Sequence, residues 1–404
     1  MQILLFDLDG VLIEPRAYYL ALQETVALIG RGLGYREAAL SQEDIQVFES
    51  VGVSSEWDSA AICAALLLRR AWTVSHEYHL PTKLPLPRPP PHELAVPNFR
   101  EFFESMGRVA QAGTQPLLLA ERQLLSDDRL LTAAQASELR SCLRNARRAE
   151  HSVTYCLFQE FVLGSDLYRQ IYGLPPHLNS TGHLLTQDRP LLSENVRQEL
   201  QGWLMQPGHH AAVFTKRPSH GPQDSMRAPE AELGLKVIDL EQLPVVGTGG
   251  TAWLAARRGE EVDAFMKPSA VHALAAIRLA IGSTLETALK AAAALELDGY
   301  ADAGWLGLAS ATIRVFEDSA EGLFSARSAQ HALQRAGIDV EVALFGISDS
   351  APKRQALESI SDELFPSLEH GLRQHGVLVR SKCCRAAREP ASGPGRGKRR
   401  GFDN

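Results

Sequence analysis

Asp7 and Asp9, two carboxylates one residue apart, follow the apolar run Ile3-Leu4-Leu5-Phe6 and precede Gly10. A short apolar run that ends in acids reads as a buried parallel strand delivering polar side chains at its carboxyl end. The pattern returns twice: Ala211-Ala212-Val213-Phe214 ends at Thr215-Lys216, and Ile313-Arg314-Val315-Phe316 ends at Glu317-Asp318-Ser319. Lys267-Pro268 lies between them. Together these residue types suit phosphoryl transfer, in which the negative charge of the ester must be neutralised and the attacking group held in line. Asp7 can attack phosphorus and form an aspartyl-phosphate. Asp9 can protonate the leaving alkoxide and later take a proton from water. The Thr215 hydroxyl and the Lys216 amide can hold phosphoryl oxygens, with Lys267 as a fixed positive charge. Asp318, assisted by Glu317, completes with Asp7 and the Asp9 backbone carbonyl an all-oxygen site that suits Mg²⁺.

Each residue also has a plainer reading. Asp before Gly is a common turn, Thr215 alone is a strand-end cap, Lys267 alone is a solvated lysine, and Glu317-Asp318-Ser319 alone is a helix start. Their order along the chain argues for more. Phe6-Asp7-Leu8-Asp9-Gly10-Val11-Leu12, then Val213-Phe214-Thr215-Lys216, then Phe265-Met266-Lys267-Pro268, then Phe316-Glu317-Asp318-Ser319 resemble the four successive signatures of the haloacid dehalogenase-like phosphohydrolases. The Glu-Asp-Ser form is similar to that of phosphoglycolate phosphatase-like and β-phosphoglucomutase-like members.

The resemblance implies a Mg²⁺-dependent phosphatase of a small phosphorylated metabolite, either a sugar phosphate or a phosphoglycolate-like acid. It further implies a Rossmann-like catalytic core (residues 1–14 and 188–375) with a mainly helical cap inserted at 15–187. The insert is longer than such caps, and so is the stretch from Lys267 to Glu317. Either the core gains a helix there or Lys267 is not the site lysine. Near the nucleophile, Glu14, Arg16, Tyr18 and Tyr19 enter the cap, and Arg16 suits a second anionic group on the substrate. A phosphomutase, returning the phosphoryl group to another substrate hydroxyl, and a non-catalytic binding or regulatory protein of the same fold are the alternatives. Against the last stands the clustering of mutually repelling carboxylates, which an unused site does not need.

The elements that must position these residues follow from periodicity. Helical stretches at Glu194 to Met205, Ala270 to Ala280 and Ala320 to Ala336 alternate with the apolar runs, which predicts an α/β fold with a doubly wound parallel sheet and ligands beyond its carboxyl edge. Within the insert, Glu24 to Gly30, Asp44 to Ser50, Ser59 to Arg70 and the Leu117 to Tyr172 region carry helical spacing, and Ser41 with Asp44 suggests a capping box. Leu80 to Pro97 is a proline-rich connector. Gly247-Thr248-Gly249-Gly250-Thr251 lacks the lysine of a phosphate loop and reads as a flexible turn. His209-His210 reads as a surface loop. From Gly376 the composition turns basic and glycine-rich, so 376–404 is expected to be a disordered tail, the one place where nucleic acid or a membrane would be touched.

The 404 residues are 45% hydrophobic, and 41 basic against 48 acidic residues leave a net charge of −7, so nothing in the global charge favours nucleic acid or anionic lipid. Five cysteines without a C-x-x-C pair suggest reduced thiols. No signal-peptide pattern and no membrane-length apolar run is present, so a cytoplasmic protein is expected.

Overall fold

The structure, a computed structural model, describes residues 1–53, 55–81, 94–110, 115–126, 131–222 and 228–378. Most of the proline-rich connector and residues 379–404 of the basic tail lie outside the described residues.

Eight strands are described: β1 (Gln2–Phe6), β2 (Ile13–Glu14), β3 (Arg189–Pro190), β4 (His209–Phe214), β5 (Val245–Val246), β6 (Ala311–Glu317), β7 (Val340–Ile347) and β8 (Glu363–Phe365). Six form one parallel sheet in the order β5-β4-β1-β6-β7-β8. Successive strands run outward from β1 to one edge and then, from β6, to the other, the doubly wound arrangement that opens a crevice where the direction of winding reverses. That reversal falls between β1 and β6.

The apolar strand residues are buried from both sides because side chains alternate across the sheet. Ile3 and Leu5 pack on one face with the wholly buried helix Ala270–Ala280 and with helices Leu285–Asp298 and Ala320–Arg335. Leu4 and Phe6 pack on the other with Leu200, Trp203, Leu235 and Leu372. Helix Leu285–Asp298 lies in the long stretch between Lys267 and Glu317.

The insert is helical, and its apolar cluster, from Ala17 to Leu184, is joined by Ala228 beyond it. The Leu117 to Tyr172 region divides into helices Pro116–Leu125, Ala133–Arg144, Val153–Leu163 and Ser165–Tyr172. Ser41 and Asp44 form the capping box. The chain leaves and re-enters the core at one place, since β2 and β3 pair antiparallel with Ile13 opposite Pro190 and Glu14 opposite Arg189. No described helix is long and apolar enough to cross a membrane.

Three local expectations are corrected. Gly247 to Thr251 is not a flexible turn: helix Thr248–Arg258 starts there, and a Cβ at Gly247 would sit 2.6 Å from the Arg217 carbonyl oxygen, so glycine is required by close packing. His209 and His210 open β4 instead of forming a surface loop, and His209 stacks on Trp203 with ring centroids 3.9 Å apart. The tail does not begin at Gly376, because Val377 and Leu378 are buried against the sheet's second face. Deleting 377–404 should therefore cost about 3 kcal/mol more stability than deleting 379–404, the worth of two buried aliphatic side chains. Denaturant midpoints of the two truncations check this.

Candidate active site

The carboxyl ends of β1 and β6 lie side by side, Phe6 opposite Phe316, and the Asp7 amide donates to the Phe316 carbonyl at 3.0 Å. This register delivers Asp7 and Glu317 to one spot. Lys267 reaches it from the loop before helix Ala270–Ala280: its Nζ is 2.7 Å from Asp7 Oδ1 and 2.7 Å from Glu317 Oε2. All three side chains are buried, and the ammonium also lies 4.1 Å from the centre of the Phe214 ring. Asp318 joins them, and Asp7, Glu317 and Asp318 each offer an oxygen within 4.8 Å of the others. Gly10 permits this approach. It has φ +74, and any Cβ there would collide with the Asp318 carboxylate. The same Asp318 Oδ2 that lies nearest Gly10 accepts from Lys353 Nζ at 2.9 Å.

Burial pushes the Asp7 carboxyl up to about 6 against the pull of Lys267, and pushes Asp318 up to about 6 against that of Lys353. Glu317 is pushed up to about 7 by burial and then by the Asp7 charge. Burial works against the Lys267 ammonium, but Asp7 and Glu317 outweigh it and hold the group above its ordinary range. When ionised, these three carboxylates face two lysines and keep one negative charge in excess. An all-oxygen set with excess negative charge fits a hard divalent cation. Glu317 Oε1 already accepts from the Ser319 hydroxyl at 2.7 Å, so Glu317 acts first as a brace for Lys267 and the following turn.

The remaining expected residues lie outside this acidic group. Thr215 is buried at the end of β4, its amide donating to Val246 O at 3.0 Å and its hydroxyl oxygen accepting from the Arg217 amide at 3.2 Å. The Lys216 side chain pairs with Glu321. Arg16, expected to face an anionic substrate group, is half-exposed and pairs with Glu14 at 2.9 Å, because the first residue of helix Arg16–Leu33 lies beside the β2 carboxylate. Asp9 adds no side-chain oxygen to the acidic group around Asp7. Its two oxygens accept from Arg217 Nε at 2.9 and 2.9 Å and from Nη2 at 2.5 Å.

Arg217 and His272 were not legible as site residues. Arg217 is buried, donates to Asp188 Oδ2 at 2.9 Å, and lies 4.7 Å from the Tyr18 ring. Asp188 in turn accepts from the Ala17 amide at 2.9 Å, so one guanidinium joins Asp9 to both ends of the insert. The only sequence signal is position, two residues beyond Thr215, where an arginine ordinarily reads as solvated. His272 is fully buried: its Nδ1 accepts from the Lys267 amide at 3.1 Å and its Nε2 faces Val246 O at 3.0 Å. That pattern fits a neutral ring protonated on Nε2. The Val246 carbonyl thus ties Thr215 and, through His272, Lys267 to one point.

No family model matches the chain, and no curated protein matches it. Among solved structures, the X-ray structure of a Northeast Structural Genomics Consortium target is similar at a TM-score of 0.60 and 15% identity, over 93% of this chain and 99% of the other. The likeness is one of fold.

Burial, then the Lys267 charge, pushes His272 down to about 3. The unfolded chain takes a proton on this ring below its ordinary pKa of about 6.5 while the folded chain does not, so His272 costs stability as pH falls from there. The raised carboxyls act with opposite sign, since the folded state holds their protons more tightly. Comparison with His272→Gln separates the two. The variant should lose less stability between pH 6 and 5 than the parent, by up to about 1 kcal/mol, in denaturant titrations at the two pH values.

Proposed function

We propose that the protein is a Mg²⁺-dependent phosphatase of the haloacid dehalogenase-like type, acting on a small phosphorylated metabolite through an aspartyl-phosphate at Asp7, with the helical insert as its cap. The observation that carries this reading is the burial of Lys267 between Asp7 and Glu317, residues 260 and 50 positions away from it, with Asp318 in the same group. A turn aspartate, a surface lysine and a helix cap have no reason to converge in this way.

In this reading Asp7 attacks phosphorus in line with the departing alkoxide. The Lys267 ammonium offsets charge on the nucleophile and on the transferring group, and it is held still by Glu317 and His272. The Thr215 hydroxyl hydrogen is available to a phosphoryl oxygen, because the oxygen's role toward Arg217 is that of an acceptor. Asp9, an acceptor from Arg217 in the resting arrangement, would take a proton from the water that hydrolyses the aspartyl-phosphate. To protonate the leaving group in the first step it must turn from the guanidinium. Asp7 and Asp318 would hold Mg²⁺, which supplies charge neutralisation for the phosphoryl group when bound. Free Cys63, Cys142 and Cys156 suit a reducing compartment.

Asp7→Asn should lower phosphate release from 4-nitrophenyl phosphate by about 10³-fold or more with an unchanged circular dichroism spectrum. Activity within tenfold of the parent would remove Asp7 as the nucleophile. EDTA should abolish turnover and Mg²⁺ restore it. Independently of turnover, Mg²⁺ should raise Tm at pH 8, where the three carboxyls are ionised, and much less at pH 5, where protons compete for them. Equal shifts at both pH values would place the ion elsewhere.

A further inference from the structure

Two ammonium groups face the carboxylates around Asp7, and they are held differently. Lys267 has a side chain only 3% exposed and fills the gap between Asp7 and Glu317, 2.7 Å from each. Lys353 is the third residue of helix Ala351–Leu357, which follows β7; its side chain is 44% exposed and reaches Asp318 Oδ2 at 2.9 Å.

A second carboxylate stands within reach of Lys353. Glu49, in the last turn of helix Gln42–Ser50 of the insert, has its Oε2 3.9 Å from the same ammonium, while its Oε1 accepts from the Tyr19 hydroxyl at 3.0 Å. Burial, then the Glu49 charge, raises the Tyr19 phenol above its usual range, so the hydroxyl keeps its proton and fixes the carboxylate. Asp318 holds the Lys353 ammonium above its ordinary range, against burial and with help from Glu49. One charged group thus stands between an acid of the core and an acid of the insert.

Charge decides which ammonium can stay when a cation enters. Ionised, Asp7, Glu317 and Asp318 carry three negative charges against two lysines. A divalent ion added to both lysines would make the group net positive at close range, with the ion and Lys353 drawing on the same Asp318. Lys267 cannot leave without being stranded in the interior. Lys353 can, because water and Glu49 both receive it.

We propose that Lys353 is an internal competitor for the divalent cation: it neutralises Asp318 until an ion takes its place and is then received by Glu49, so that a carboxylate of the insert sets the cation affinity of the core. This rests on the reading of Asp7 and Asp318 as cation ligands and adds the residue that opposes them.

The test is the Mg²⁺ dissociation constant of the full chain without substrate, from isothermal titration calorimetry at pH 9 and fixed ionic strength. At that pH the carboxyls pushed up to about 6 and 7 are ionised, so protons do not compete. We expect Lys353→Met to bind Mg²⁺ about tenfold more tightly than the parent, and Lys353→Arg, which keeps the charge, to bind no more tightly. Glu49→Gln should weaken binding about threefold in the parent and leave it unchanged in the Lys353→Met background, because its effect passes through the ammonium. Parent-like or weaker binding by Lys353→Met, when Asp318→Asn has lost binding, overturns the inference alone. An equal effect of Glu49→Gln in both backgrounds overturns the part given to the insert. Binding untouched by Asp318→Asn places the ion elsewhere, and the cation reading and the inference then fall together; should Asp318→Asn not fold, Asp7→Asn serves as that control.

Discussion

A lysine without water must be surrounded by carboxylates, and carboxylates without water must be paired; Lys267, Asp7 and Glu317 meet both requirements at once. Buried ion pairs of this kind add little net stability, because desolvation offsets attraction, but removing one member strands a charge at a cost of about 3–5 kcal/mol. The three segments that carry these residues are thereby bound to a single geometry. Around it the remaining parts are tied in by hydrogen bonds of fixed direction: His272 holds the Lys267 backbone, Val246 O holds both His272 and Thr215, and Gly10 leaves room for Asp318. What results is an all-oxygen group with negative charge in excess, the kind of surroundings a hard cation prefers.

Arg217 plays the corresponding part at the boundary with the insert. It binds Asp9 on the core side and Asp188 at the insert's return, and Asp188 caps the amide of Ala17 at the insert's first helix. Any displacement of the insert relative to the core is felt by Asp9 through two ion pairs. Position of the insert and orientation of the Asp9 carboxylate are in this way one variable.

Much of this was legible beforehand, and the reason differs from element to element. Apolar runs ending in polar residues announce parallel strands because a strand buried on both faces has no polar residue to spare, and β1, β4 and β6 appear where that pattern stands. The Ser41–Asp44 capping box is a local exchange of hydrogen bonds and depends on nothing distant. Where partners lie far away, local reading failed. Gly247 and Gly249 looked like a flexible turn because the Arg217–Ser219 backbone that requires their small size is some 30 residues earlier in the chain. Arg16 is a local exception: its partner Glu14, only two residues before it, engages the guanidinium at 2.9 Å.

What the sequence by itself determined is the set of strand ends and the residue types they deliver, since burial pattern and backbone hydrogen bonding act within a few residues. Which of those types meet was decided only by tertiary structure. The doubly wound strand order puts β1 beside β6, and the wholly buried helix Ala270–Ala280 aims Lys267 into the gap between them. The physical reason is that a charge in the interior has no solvent to satisfy it and must find its partner wherever the fold brings one, a condition that sequence spacing does not encode.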